Sequence, residues 1–329
     1  MSRFKVVVTD YIYPSLDTER EVLAAIDAEL VPCQCKTLDD ARRAVAGADG
    51  VLNTYFRPLD GQVMDAMPNC RIIVRYGIGV DTINIPDATA RGIMVANVPD
   101  YGIAEVSDQA LAFTLALVRK LPQADRRVHR GEWDPTALKP IRRLSALTVG
   151  IIGLGRIGRV IARKLVAFGP TLVFHDPYLT ADTVEGARRV DLPELFRIAD
   201  VVIVQAPATK ETRHLLDRQA FAAMQRRPIV VNCARGDLID TAALIEALQT
   251  GQVSGAGLDV VEPEPLPADS PLRTFENVMI TPHAAWYSVE ALAALQRLAA
   301  EEVARALLGE RPKSLLNPEV WERRKPQGR

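Results

Sequence analysis

The stretch "VGIIGLGRIGRVIARKL", residues 149–165, decides the fold. It opens on an apolar run suited to a strand buried on both faces, and it closes with Ile161, Ala162 and Leu165 at helical spacing among Arg159, Arg163 and Lys164. Between the two stands Gly153-x-Gly155-x-x-Gly158. Gly153 permits a tight turn, Gly155 lets the backbone approach a pyrophosphate, and Gly158 lets the helix lie close on its strand. The start of the helix then offers free N–H groups and the positive end of its dipole to phosphates. Eighteen residues past Gly158 the run "TLVFHD" ends in Asp176, placed to accept hydrogen bonds from ribose hydroxyls and to repel a 2′-phosphate. Strand, glycine turn, helix and acid together specify a nicotinamide-dinucleotide site, with NAD favoured over NADP.

Outward from this stretch, short β-branched runs alternate with helical patterns, the mark of parallel α/β sheets. Before it, strands read at "FKVVVTD", "GVLNT", "RIIVR" and "IMVANV", with helices near 17–29, 38–47 and 84–91. The segment 104–121, "AEVSDQALAFTLALVRKL", is apolar on nearly every face and is expected to lie between domains or at a subunit interface. After residue 165 the series continues through "TLVFHDP", "DVVIVQAP", "PIVVNCARG" and "VSGAGLDV" to "NVMITPH". A last helix over about 287–309 carries Leu292, Leu295, Leu298, Val303 and Leu307 on one stripe, with Gly309 to cap it. The tail "WERRKPQGR" reads as frayed. The chain crosses between α/β units at 97–102 and 281–286, so one domain is expected over 1–100 plus 286–329 and a second over 101–285.

With 329 residues and 48% hydrophobic content there is enough chain to bury two cores. Lys+Arg total 40 against 41 Asp+Glu, a net charge of −1 that leaves no electrostatic footprint for nucleic acid. No polybasic run, long apolar span or signal-peptide core appears, and the N-terminus reads as a first strand. Cys33 and Cys35 are too close in sequence for a disulfide or zinc knuckle, and no metal-ligand spacing is present. Four reduced thiols fit a cytoplasmic protein.

Hydride transfer to a keto acid needs a proton donor beside the carbonyl oxygen and a cation for the carboxylate. In a dinucleotide fold both should come from the carboxyl ends of later strands. "VVNCARGDLID" places Arg235 beyond one such strand, with Gly236 allowing a sharp turn. "GLDVVEPEP" delivers Asp259, Glu262 and Glu264 beyond the next, and "ITPH" delivers His283 beyond the last. Each has a plainer explanation: a surface ion pair for Arg235, a solvated loop carboxylate for Glu264, a packed imidazole for His283. Their placement after three successive strand ends favours chemistry. A carboxylate on one imidazole nitrogen fixes the tautomer and favours the protonated ring.

The motifs "GLGRIG…HDP", "NCARGDLID", "GAGLDVVEPEP" and "TPHAAWYS" resemble those of the D-isomer-specific 2-hydroxyacid dehydrogenase family over nearly the whole chain. Within it, "RYGIGVDTINI", "DPYL" and "TPHAAWYS" look most like the C-terminal-binding protein branch. The resemblance implies two doubly wound parallel-sheet domains, Rossmann-like and flavodoxin-like, with a cleft between them and a homodimer formed through the cofactor domain. It implies Arg235 as the cation that orients substrate, His283 as proton donor and acceptor, and Glu264, rather than Glu262, as its partner. Cofactor contacts are expected from Gly153, Leu154, Gly155, Arg156, Ile157, Gly158, Asp176, Pro177, Ala206, Pro207, Thr212, Cys233, Ala234, Asp259 and His283. Ile78 and Gly79, in "RYGIG", are expected to donate backbone N–H groups to the substrate carboxylate. Tyr76 and Trp286 are expected to wall its pocket, together with Tyr101, which favours an apolar side chain on the 2-keto or 2-hydroxy acid.

Two departures from the family pattern stand near the expected cofactor, Ser107-Asp108 and Ala208. Formate is disfavoured, because relatives acting on it pair glutamine with the histidine. A rival function of another class is an NAD(H)-sensing, dimerising corepressor-like protein, which keeps the same Arg–Glu–His set. A hydrolase of the adenosylhomocysteine type lacks its expected substrate domain here.

Overall fold

The computed structural model describes residues 2–324, in two compact units. The first comprises residues up to Gly102 together with those from Ser288 onward, and the second spans Ile103–Tyr287. The crossings lie two residues beyond the 100/101 and 285/286 boundaries read from the sequence.

The first unit is built on β1 (Phe4–Val8), β2 (Ala28–Pro32), β3 (Gly50–Asn53), β4 (Ile72–Arg75) and β5 (Met94–Ala96), all parallel in the order β2-β1-β3-β4-β5. That is the flavodoxin-like order. The three central strands are apolar on both faces, as helices on each side of a parallel sheet require. Connecting helices are α1 (Asp17–Ala24), α2 (Leu38–Val45), α3 (Gly61–Met64) and α4 (Ile85–Ala90). Local capping sets where they begin: Thr37 and Asp40 form a reciprocal capping box on α2, and Asn84 caps α4. The helix expected to reach residue 29 instead stops at Ala24. Asp27 turns into the left-handed region (φ 56), and residues 28–32 pair with β1 as an edge strand.

The second unit starts with α5 (Ile103–Val118) and α6 (Leu121–His129). There follow β6 (Thr148–Ile152), α7 (Arg156–Val166), β7 (Thr171–His175), β8 (Thr183–Val184), β9 (Ala187–Arg189), α8 (Leu192–Ile198), β10 (Val201–Val204), α9 (Arg218–Ala223), β11 (Ile229–Asn232), α10 (Thr241–Gln249), β12 (Gly255–Leu258) and β13 (Val278–Ile280). The sheet order is β13-β12-β11-β10-β6-β7-β9-β8, parallel except for the short β8–β9 hairpin. Strand order reverses between β6 and β10, the switch point at which doubly wound sheets bind nucleotides. Within its own unit the apolar α5 lies on α7, β11 and β12. A Cβ on Gly257 of β12 would sit 2.7 Å from the Phe113 side chain, so that glycine is what lets α5 lie flush on the sheet.

The chain returns to the first unit as α11 (Val289–Leu307) and α12 (Pro318–Arg324). The buried stripe of α11 is Ala291, Leu295, Ala299, Val303 and Ala306–Leu307, whereas Leu292 and Leu298 are only half-buried. Small residues bring this helix onto β3 and β4, and a Cβ on Gly50 would lie 2.9 Å from Val303. Gly309 (φ 80) closes α11, and Glu310 N–H reaches back to the Arg305 carbonyl at 2.8 Å. Residues 321–324 of the tail are helical rather than frayed, and 325–329 lie outside the described residues. Among the described residues no helix is long and apolar enough to cross a membrane.

Candidate active site

The glycine turn sits at the carboxyl end of β6, against the end of β10. Gly153 is left-handed (φ 90), and a Cβ there would lie 2.7 Å from the Gln205 carbonyl oxygen. A Cβ on Gly158 would fall 2.3 Å from Gly153 O, so this glycine lets α7 start directly on the turn. Around Gly155 a Cβ would meet nothing within 4 Å. The three glycines therefore do different work. Two are forced by contact, and the third leaves open the face toward which a pyrophosphate would come. Arg156 is exposed at the first position of α7, Ile157 is half-buried against the core, and Leu154 is fully buried.

Asp176 follows β7 and faces the same turn. Its Oδ2 accepts from Leu154 N–H at 2.9 Å and its Oδ1 from Tyr178 N–H at 2.9 Å, so the carboxylate is held at the mouth of the turn with further lone pairs to offer. Beyond β10, Ala206 is buried and Pro207 exposed, and the Thr212 hydroxyl donates to the Pro207 carbonyl at 2.6 Å, closing that loop. Cys233, after β11, is buried, and burial pushes its thiol well above the ordinary range. Ala234 and Pro177 stand at the same strand ends. The open face at Gly155 and the remaining lone pairs of the Asp176 carboxylate fit a dinucleotide.

The imidazole of His283 is bonded to an acid. Its Nδ1 lies 2.8 Å from Glu264 Oε1, with the histidine 26% and the glutamate 40% exposed, which leaves Nε2 to exchange a proton with a ligand. His283 is itself left-handed (φ 54), an uncommon state for a residue with a Cβ. Asp259, 3% exposed, holds it there. Its Oδ1 accepts from the Thr281 hydroxyl and from Ala284 N–H at 2.9 Å, its Oδ2 from Ala285 N–H at 3.0 Å, and its carbonyl from His283 N–H at 2.8 Å. Asp259 thus clamps the turn on both sides of His283.

Glu262, the competing acid, is occupied elsewhere. Its Oε1 accepts from Arg213 at 2.6 Å and its Oε2 lies 2.6 Å from His214 Nε2; together these partners, His214 first, hold its carboxyl below the usual range. Arg235 follows β11 on a loop organised by the fully buried Asn232, whose amide donates to Arg235 O and accepts from Ala234 N–H. The guanidinium is half-buried, with Nη1 donating to Ala234 O at 2.7 Å. Gly236 is not left-handed, so its role differs from the sharp turn expected. A Cβ there would lie 2.0 Å from Val261 O, which lays the Arg235 loop directly on the strand end that carries Glu264.

Other placements differ more. Tyr76, expected on a pocket wall, is 2% exposed in the core of the first unit, with its hydroxyl donating to Glu19 at 2.8 Å and its ring edge-on to Tyr13. Tyr76 stands one residue past β4 and its ring is taken up by the core, while Arg75 beside it is half-buried. Ile78 and Gly79 are half-buried in the loop after β4, which Asn97 holds by donating to Ile78 O at 2.6 Å. Trp286 is half-buried against the core of the second unit and edge-on to Tyr287. Ser107 and Asp108 bind Lys164 of α7, about 12 Å along the helix from its N-terminus. Asn232 and Thr281 escaped the sequence reading, although an amide or hydroxyl closing an apolar strand is a signal that it orders the next loop.

Residues 111–285 match the family model described as "D-isomer specific 2-hydroxyacid dehydrogenase, NAD binding domain". The chain is 35% identical to a glyoxylate reductase of Thermofilum pendens over 97% of its own length and 96% of that protein. It is 36% identical to a D-3-phosphoglycerate dehydrogenase of Methanocaldococcus jannaschii over 95% of its length, but spans only 59% of that relative. Among solved structures, the NADPH-dependent glyoxylate/hydroxypyruvate reductase of Sinorhizobium meliloti, in complex with NADP and malonate, superposes with a TM-score of 0.85 at 31% identity, covering 96% of this chain and 97% of that one. With the glycine turn, the acid after β7 and the matched residues in agreement, the chain carries an NAD-binding domain and belongs to the D-isomer specific 2-hydroxyacid dehydrogenase family.

Proposed function

We propose that the protein is an NAD-dependent oxidoreductase interconverting a 2-keto acid and a D-2-hydroxy acid. The observation that carries the reading is the 2.8 Å bond between His283 Nδ1 and Glu264, in the same unit as the glycine turn. NAD, when bound, supplies or accepts the hydride at the substrate's second carbon. Gly153 to Gly158, Asp176, Ala206, Pro207, Thr212, Cys233, Ala234 and Asp259 are the residues we assign to holding it.

In reduction, His283 gives a proton from Nε2 to the keto oxygen. Glu264 orients the ring and compensates the imidazolium charge, and in oxidation the same nitrogen takes the proton back. The Arg235 guanidinium offers paired donors to the substrate's carboxylate and carbonyl oxygens. We assign carboxylate binding to the backbone N–H groups of Ile78 and Gly79 as well, and a pocket-wall role to Trp286. Tyr76, sealed in the core of the first unit, takes no part in that wall. The acid at 176 favours NAD, in contrast to the NADPH named for the Sinorhizobium relative.

We also propose a homodimer through the second unit. α6 buries no residue, and Leu121, Val128 and Trp133 stand 55%, 48% and 87% exposed on one segment. Kinship with the C-terminal-binding protein branch rests on "RYGIGVDTINI", "DPYL" and "TPHAAWYS" alone, and no separate feature favours a binding role over chemistry. The test is NADH oxidation against glyoxylate, hydroxypyruvate, phenylpyruvate and branched 2-keto acids. His283→Ala should lose at least about 100-fold in kcat while keeping its NADH affinity. A wild-type protein that binds NADH yet turns over none of the panel refutes the reading.

A further inference from the structure

A second imidazole–carboxylate pair lies two residues from the first along the same loop. His283 bonds Glu264, and His214 bonds Glu262, yet nothing in the proton-transfer scheme uses His214. We propose that His214, together with Arg213, is a positioning residue: it sequesters Glu262 so that Glu264 alone pairs with the proton-transferring His283. The proposal rests on the catalytic reading given above.

Three segments of the second unit are knit around this point. His214 is held left-handed (φ 51) while its N–H donates to Asp237 O at 2.7 Å. Leu216 then pairs with the following segment, its N–H bonded to Leu238 O at 3.0 Å and its carbonyl to Asp240 N–H at 3.1 Å. That segment touches the acidic loop at two points, Gly236 against Val261 O and the Thr241 hydroxyl donating to Glu262 O at 2.6 Å. The backbone up to residue 262 is therefore fixed. Beyond it, Glu264 has the His283 bond as its side-chain anchor.

The Glu262 carboxylate has both oxygens taken, one by each donor, and two-point attachment stops it rotating. The side chains bonded to it are Arg213 and His214, both on the segment just before α9. Released from those donors, Glu262 would be a second anion two residues from Glu264, free to draw the imidazole toward itself. The loop would also lose the side-chain tie that sets its path into Glu264. An exposed ion pair of this kind adds little to stability, so its effect should appear in proton transfer rather than in folding.

The experiment compares His214→Ala, His214→Gln and wild type by steady-state reduction of an accepted 2-keto acid, by NADH titration, and by NMR of the imidazoles in the full-length protein. The glutamine amide can still donate to Glu262, whereas alanine cannot. For His214→Ala we expect kcat about 10-fold lower or more with NADH affinity unchanged, and a shifted His283 Nδ1–H resonance. His214→Gln should restore most of both. A His283 resonance and kcat unchanged in His214→Ala overturn the proposal, as does equal damage in both variants accompanied by a lower Tm. The resonance is read without substrate, so it decides the positioning role even where the wild type shows no turnover, a result that would sink only the catalytic reading.

Discussion

Gly236→Ala is the smallest change that reaches the proposed proton machinery without touching it. The added methyl would sit 2.0 Å from Val261 O and 2.2 Å from Val261 C, both main-chain atoms with no side-chain freedom to yield. Restoring an ordinary contact of 3.4 Å requires the Arg235 loop and the acidic loop to part by about 1.4 Å. Thr241 pulls on Glu262 from the same side, so the strain passes along the segment toward Glu264. A displacement of that size stretches a 2.8 Å hydrogen bond to about 4 Å, beyond useful proton-orienting geometry. Misplacement by about 1 Å lowers kcat on the order of 100-fold, and overpacking costs about 1–3 kcal/mol of stability. The assay is NADH oxidation at saturating keto acid beside an NADH fluorescence titration and a urea melt. A variant with wild-type kcat refutes the reasoning, because it shows the two loops can part without disturbing His283 and Glu264.

Asp176→Ser should raise the ratio of NADP to NAD in kcat/KM roughly tenfold or more, from on the order of 1–2 kcal/mol of relieved charge repulsion. It should also weaken NAD binding, since Leu154 N–H loses its carboxylate acceptor; an unchanged ratio argues against the ribose-side assignment. Burial raises the Cys35 thiol to about 11 and Cys233 higher still, so both should resist a thiol reagent at pH 8 until the protein is unfolded. Unfolded thiols ionise near about 8.5, so the unfolded state sheds those protons first and stability should fall as pH climbs from there toward the folded values, measured by urea melts from pH 8 to 10.5. Trp133→Arg should shift sedimentation equilibrium from dimer toward monomer, and a monomeric wild type would remove the proposed interface.

The parts of the molecule legible in the sequence are those where chemistry leaves little choice. The glycine turn could be read because two of its residues are compelled by backbone contact, and the His283–Glu264 pair because strand ends bring their residues to one edge of a sheet. Edges and reversals were harder. β2 is a five-residue edge strand directly after a helix, and the chain turns into it on Asp27 rather than on a glycine that would have announced the left-handed turn. The β8–β9 hairpin turns on Glu185-Gly186, both with positive φ, without the asparagine or aspartate that usually announces such a turn. Tyr76 was misplaced because motif position does not say which face of a strand end a side chain takes. Asp259 was read as a cofactor ligand, and the clamp it forms around His283 depends on contacts with residues 281–285, which spacing does not reveal.

The return of α11 and α12 to the first sheet has a consequence for how the protein is made. Asn317 donates to Ile93 O and accepts from Val95 N–H, over 220 positions earlier, and Val303 fills the space above Gly50. During translation β1 to β5 emerge first, but the helix that covers β3 and β4 leaves the ribosome only after all of Ile103–Tyr287. The second unit can close as soon as it is synthesised, whereas the first must wait with an apolar face bare. A released chain truncated after residue 287 should therefore hold a protease-resistant second unit attached to a first unit that chaperones still recognise.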